Sequence, residues 1–180
     1  VFYYVTLLNE NYAQPAMPAQ PGLREAIVKG LYLFRAGGAA QPLRVQLLGS
    51  GAILREVIAA AELLEREWGV AADVWSAPSL NELRRDGLEV ERWNRLHPED
   101  PPRISYAQQC LGARQGPVIA ATDYLKAFAD QIRAFVPHSY SVLGTDGFGR
   151  SDTRERLRRF FEVDRHQVAA AALAALAREG

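Results

Sequence analysis

Short apolar runs that stop at glycine, each followed by a stretch with helical spacing, constrain this chain more than any other feature. Residues 43–48 carry Leu43, Val45, Leu47 and Leu48 and end at Gly49. Ile53, Val57, Ala61, Leu64 and Trp68 then recur at three- and four-residue spacing up to Gly69, and residues 70–75 are apolar again. A strand that is apolar on both sides is covered on both sides, which is the condition of a parallel strand joined by helical crossovers.

The alternation continues along the chain. Residues 22–29 are expected to form a short helix stopped by Gly30, with a strand over 31–34 and a loop over 36–42 around Gly37-Gly38. Ser50 is expected to cap the helix after Gly49. Ser79 and Glu82 form an S-x-x-E box opening a helix that Asp86-Gly87 should interrupt before a second segment reaches His97. The prolines of 97–103 predict a loop, 104–111 a short helix and 117–122 a strand. Asp123 is expected to cap a helix whose Leu125, Phe128, Ile132 and Phe135 form one stripe. The last strand is placed at 140–143, a second capping box at Asp152 and Glu155, and a cap for the alanine-rich terminal helix at Asp164. These readings describe an α/β fold, a three-layer α/β/α sandwich around a mostly parallel sheet of about five strands.

The first residues differ from the rest. Residues 1–9 read as the closing strand of a preceding domain, since Phe2, Tyr3, Tyr4, Val5, Leu7 and Leu8 leave neither face polar. Residues 10–22 contain Pro15, Pro18 and Pro21 and read as a stiff linker, with 23–180 as the main domain.

Charge and composition exclude several function classes. Across 180 residues, 21 Lys and Arg balance 21 Asp and Glu, which argues against nucleic acid as a partner. A single cysteine, Cys110, excludes an internal disulfide and fits a reducing compartment. No apolar run approaches the ~20 residues of a membrane span, and the start lacks a signal peptide's basic residues, so a cytoplasmic location is expected.

Candidate chemistry concentrates in the loop Gly144-Thr145-Asp146-Gly147-Phe148-Gly149-Arg150-Ser151-Asp152 between the last strand and a helix. Backbone amides there could hold an anion, with Arg150 and Arg154 supplying charge. Gly144, Asp146, Gly147, Gly149, Arg150, Ser151 and Arg154 are therefore the candidate anion or interface residues. The pattern is neither a phosphate-binding P-loop nor a dinucleotide fingerprint, and Gly49-Ser50-Gly51 also fails the fingerprint, having Leu54 where its third glycine belongs. The preferred reading is structural: a tight turn needing positive φ at Gly147 or Gly149, Asp146 satisfying amides, and Phe148 plugging a core. Arg150, Arg154 and Arg158 fall at four-residue spacing, as on one helical face, with Asp152 and Glu155 beside them to pair. His97, His138 and His166 lack companions at metal-ligand spacing, and Cys110 has no Cys-x-x-Cys partner. Trp68, Trp75 and Trp93 are expected in the core or at an interface. No catalytic or metal-binding residue is identified.

Several longer runs carry a family resemblance. Phe2-Tyr3-Tyr4-Val5-Thr6-Leu7-Leu8-Asn9-Glu10-Asn11-Tyr12, Val45-Gln46-Leu47-Leu48-Gly49-Ser50-Gly51, Glu91-Arg92-Trp93-Asn94-Arg95-Leu96-His97-Pro98, the 143–152 loop and Phe161-Glu162-Val163-Asp164 occur in order. Together they resemble the homodimeric bacterial pyruvate dehydrogenases, the decarboxylating first components of pyruvate dehydrogenase complexes. The resemblance implies a transketolase-like C-terminal domain with one antiparallel strand in its sheet, at residues 30–35. It also implies thiamin diphosphate and magnesium in the full-length enzyme, none of it held here, since that family's catalytic and cofactor-binding residues lie mainly in preceding domains. The implied partners are a second protomer and the dihydrolipoyl acyltransferase component, which receives the acetyl group on its lipoyl arm.

Overall fold

A computed structural model describes residues 2–5 and 11–179. Its elements are α1 (Leu23–Lys29), β1 (Tyr32–Arg35), β2 (Arg44–Gly49), α2 (Leu54–Trp68), β3 (Ala71–Ser76), α3 (Leu80–Leu96), α4 (Tyr106–Gly112), β4 (Val118–Ala121), α5 (Lys126–Asp130), β5 (Tyr140–Leu143), α6 (Arg154–Phe160) and α7 (Arg165–Glu179). Five strands form one sheet in the order β1-β3-β2-β4-β5. β1 runs antiparallel to β3 and every other pairing is parallel. Gln46, flanked by Asp73 and Val118, sits at the centre.

The period of the sequence explains the layers. Val45, Leu47, Val74 and Ile119 face α2 and α7, packing on Val57, Leu64, Val168 and Ala172. Their neighbours Leu48, Trp75, Val118 and Ala120 face the other way, onto Leu80 and Leu83 of α3, Leu111 of α4, and Ala129, Ile132 and Phe135. Helices thus cover both sides of the sheet. Gly30 and Gly69 end α1 and α2 with φ of 94° and 61°, left-handed values that glycine adopts without cost.

Some local expectations shift. Ser50 occupies the cap position of a 3-10 turn, Gly51–Ile53, but its side chain accepts no capping bond. Ser79 caps α3 as expected, accepting the Glu82 N–H at 3.2 Å, but the box is only half closed. Ser79 N–H goes to Gly30 O, and the Glu82 carboxylate pairs with Arg85. α3 runs through Asp86-Gly87 without a break. Gly87 provides the notch that the Phe135 ring fills, and the Asp86 carboxylate accepts the Tyr106 N–H at 2.6 Å, fixing the start of α4. α5 is only five residues long, with no cap from Asp123, and a 3-10 turn at Arg133–Phe135 carries the rest of the apolar stripe. Thr153, not Asp152, caps α6; its hydroxyl accepts the Arg156 N–H at 3.4 Å. Asp164 caps α7 as read, accepting from His166 and Gln167.

Of the strand expected over 1–9, residues 2–5 are described, lie outside any strand and are exposed; the remainder lies outside the described residues. Among 11–22, Gln20 donates to Leu33 O at 3.1 Å and Tyr12 is held by two arginines, so this segment lies against the domain.

Candidate functional site

The sheet order creates a crevice. After β2 the chain turns to α2 on one face; after β4 it turns to α5 on the opposite face. Such a divergence between neighbouring parallel strands opens a gap at their carboxyl ends, the place where α/β folds hold ligands. Here it forms a cavity of ≈ 270 Å³. Ala52 and Ile53 enter it from the β2 side, Asp123 from the end of β4, and Thr145, Gly147, Gly149 and Arg150 from the loop after β5. Arg154, Leu157 and Arg158 of α6 form one wall, closed by Phe161 and Val163. The floor is apolar and the rim carries three guanidiniums and one carboxylate.

The loop after β5 is laced to the loop after β4. Thr145 N–H donates to Tyr124 O at 2.8 Å, and the Thr145 hydroxyl donates to Asp123 O at 2.6 Å. Asp146 accepts the Lys126 N–H at 2.9 Å and lies 3.8 Å from Lys126 Nζ, so it caps α5 in place of Asp123. Gly144 is required by this close approach, because a Cβ there would lie 2.8 Å from Lys126 N and Tyr124 O. Gly147 takes φ 88°, while Gly149 has no left-handed φ.

The structure therefore divides the candidate residues. Gly147, Gly149, Arg150 and Arg154 line the cavity; Gly144 and Asp146 tie the two loops; Ser151 lines a neighbouring depression with Asp152 and Arg156. Phe148 plugs no core: it projects into water from the loop tip. The three arginines do not share a helical face, because α6 begins only at Arg154. Arg150 instead stacks on Phe160, its guanidinium carbon 4.2 Å from the ring centre. Asp152 pairs with Arg156, at 3.7 Å.

Arg158 answers to a residue the sequence did not single out. The buried Glu56, in the first turn of α2, accepts from Arg158 at 3.4 Å and from Arg165 N–H and Nε at 3.1 and 3.0 Å. Burial pushes the Glu56 carboxyl upward, but the Arg165 hydrogen bonds and charge, with Arg158 behind them, outweigh it and hold the pKa below the ordinary value. Arg158 also donates to the Tyr12 hydroxyl at 2.9 Å, and Arg55 lies 4.3 Å over the Tyr12 ring. The signal was present: Glu56 falls among Ile53, Val57 and Ala60, an acid on an apolar stripe.

A second buried carboxylate lies within β3, beside the central strand and towards the amino ends of the parallel strands. Asp73 accepts Gly37 N–H at 2.8 Å and sits 3.5 and 3.4 Å from Arg44 and Arg114. Gln46 beside it accepts from Trp75 and donates to Leu111 O. The remaining candidates are structural. His97 stacks on Trp93 at 4.5 Å, with Arg103 on the ring at 3.8 Å, and His138 contacts Leu111 O. Burial pushes the half-buried Cys110 thiol upward, which keeps it protonated at neutral pH. Trp75 is in the core, whereas Trp68 is exposed at the end of α2. Among the described residues no three His, Cys, Asp or Glu side chains are grouped to hold a metal ion, and no helix is long and apolar enough to cross a membrane.

Comparison with known proteins gives concordant matches. A family model described as the transketolase-like TK C-terminal domain matches residues 30–164. A Pseudomonas aeruginosa protein named pyruvate dehydrogenase E1 component is 62% identical over all of this chain, and its Escherichia coli counterpart is 52% identical. Each match covers 20% of the relative, so the chain spans about a fifth of the length of these curated relatives. Among solved structures, transketolase from Leishmania mexicana superposes with a TM-score of 0.57 at 19% identity, over 86% of this chain and 19% of that one. A split-gene transketolase, described as an inactive beta4 tetramer, superposes with a TM-score of 0.54 at 18% identity, over 83% of this chain and 43% of that one.

Proposed function

This chain belongs to the transketolase-like C-terminal domain family, and from that premise we propose that it is the structural, dimer-forming C-terminal domain of a pyruvate dehydrogenase first component. The longer enzyme would use thiamin diphosphate and magnesium to decarboxylate pyruvate and would acetylate a lipoyl group on a dihydrolipoyl acyltransferase partner in the cytoplasm. The observation that carries this reading is identity of 45–62% across the whole chain with relatives named pyruvate dehydrogenase E1 component.

The residues in hand do not suit the magnesium ion. The cavity rim presents three guanidiniums against one carboxylate, which opposes a divalent cation, and Arg158 is already engaged by Glu56 and Tyr12. The reading therefore assigns the chemistry to the part of the enzyme beyond this chain. What this domain contributes is rigidity and contact surface, with both faces of its sheet covered and its loops tied. Self-association is supported by the assembly described for the split-gene transketolase, a protein of the same fold.

An anion-binding module is the second reading, favoured by Arg150 and Arg154 at the cavity mouth. Asp123 in the same lining counts against it.

The test uses the full-length protein and the 180-residue chain side by side. Full-length protein should release carbon dioxide from pyruvate only with thiamin diphosphate and magnesium present, and should acetylate a lipoyl domain. Calorimetric titration of the shorter chain with the cofactor and magnesium should give no saturable heat. Full-length protein inert towards pyruvate, or cofactor binding by the shorter chain, would overturn the proposal.

A further inference from the structure

Two side chains that line the cavity carry opposite charges, and neither has a partner of opposite sign. Among the described residues the Asp123 carboxylate makes no hydrogen bond and no ion pair, because the cap of α5 comes from Asp146. Arg150 pairs with no carboxylate either; its guanidinium carbon lies 4.2 Å from the centre of the Phe160 ring. Both line the same cavity, but from different sides. A Cβ on Gly51, in the turn after β2, would stand 3.5 Å from Asp123 Oδ1, which places this carboxylate beside that turn. Phe160 holds Arg150 on the side of α6, where Arg158 is already committed to Glu56 and Tyr12.

Ile53, Leu157, Phe161 and Val163 give the same cavity an apolar wall. The bonds of Thr145 and Asp146 fix the loop that closes it, so the space exists before a ligand arrives and little ordering is needed on binding. Its ≈ 270 Å³ falls just below the roughly 300–1,000 Å³ of sites for drug-sized molecules. Simple ligands each leave part of this lining unmet. A bare anion drawn to Arg150 meets Asp123, a bare cation meets the arginines, and a neutral apolar molecule uses neither charge. We infer that the cavity binds a small organic molecule with an acid group at one end, an ammonium or hydroxyl donor at the other and an apolar body between them. The acid is taken by Arg150 and the donor by Asp123. The inference goes beyond the anion-binding module, because it gives Asp123 a positive role, and it stands apart from the pyruvate chemistry assigned to the rest of the enzyme.

Three related molecules test this on the full-length protein. The first, para-(aminomethyl)benzoate, carries all three features; para-ethylbenzoate lacks the ammonium, and para-methylbenzylamine lacks the acid. Titrations followed by saturation-transfer NMR should show the first binding at least about fivefold tighter than either of the others. Asp123→Ala should abolish its advantage over para-ethylbenzoate without weakening para-ethylbenzoate itself. Arg150→Ala should abolish its advantage over para-methylbenzylamine. Absence of saturable binding up to about 10 mM, or equal affinity for all three molecules, would overturn the inference. Tightest binding of para-ethylbenzoate would mark a site for apolar anions, and binding indifferent to both substitutions would lie elsewhere; either result overturns it too. Asp123→Asn and Arg150→Gln repeat the comparison with nearly unchanged shape, so a misfolded alanine variant does not end the test.

Discussion

Gly87 lies buried in the interior of α3, where glycine costs a helix about 1 kcal/mol relative to alanine. On propensity alone, Gly87→Ala should stabilise the chain. The packing reverses the sign. A Cβ at this position would lie 2.5 Å from Cδ2 and Cε2 of Phe135 and 2.6 Å from its Cγ, about 1 Å inside normal carbon–carbon contact. The Phe135 ring is itself held among Leu83, Leu111 and Ile132, so it cannot withdraw without moving the core. Overpacking of this kind costs about 1–3 kcal/mol, which leaves a net loss of about 1 kcal/mol after the helical gain. The decisive comparison is made in a Phe135→Ala background, where all three clashing ring carbons are gone. There Gly87→Ala should be neutral or stabilising by up to ~1 kcal/mol, a coupling of about 1–3 kcal/mol. Urea denaturation of the four proteins reads each step, provided the slope with denaturant stays constant. A higher urea midpoint for Gly87→Ala alone, or the same effect in both backgrounds, refutes the reasoning.

Gly147→Val should cost about 1–2 kcal/mol from its left-handed φ alone, because nothing lies within 4 Å of the added Cβ; an unchanged melting temperature would remove the tight-turn reading. Asp73→Ala should cost about 2–3 kcal/mol, below the usual penalty for breaking a buried pair since Arg44 and Arg114 keep partial access to water. Glu56→Gln should destabilise at neutral pH but not in acid. With a folded pKa below the ordinary glutamate value, the contribution of Glu56 is present above that value and is lost as pH falls through the lowered one. Melting curves of both proteins from pH 7 to pH 2 should therefore converge, and a constant gap would refute the account. Millimolar phosphate should leave the melting temperature of the 180-residue chain unchanged; a rise that Arg150→Ala abolishes would favour the anion-binding module.

Much of the fold could be read from neighbouring residues. The run from Leu43 to the strand after Gly69 contains both its strands and the helix between them, and the stops at Gly30 and Gly69 and the caps at Ser79 and Asp164 are local chemistry. Several of the failures share one cause: partners distant in sequence. Asp86-Gly87 looks like a helix breaker until Phe135 is seen filling the notch. Asp123 looks like a cap for α5 until Asp146 arrives from the loop after β5. At the candidate site, the glycines and arginines of 147–154 were legible from composition. The commitment of Arg158 to Glu56 was not, because it joins α6 to α2. Phe148 misled for another reason: an aromatic residue between glycines reads as a plug, and only the placement of the loop shows that its ring faces water.

The lacing of Asp146 to Lys126, with Thr145 bonded to Tyr124 and Asp123, bears on which parts of this chain can change length. Surface connections usually tolerate insertions, because nothing depends on their spacing. These two are exceptions, since a residue added to either would draw its anchoring groups out of reach of the other. The connection from His97 to Arg103 is pinned at its base by Asn94, while its tip, where Glu99 and Asp100 are exposed, carries a local turn bond from Asp100 N–H to His97 O. A Gly-Ser insertion after Glu99 should therefore be accepted with little loss of soluble yield, while the same insertion after Asp123 should not. Equal yields would show that the tie imposes no such restriction.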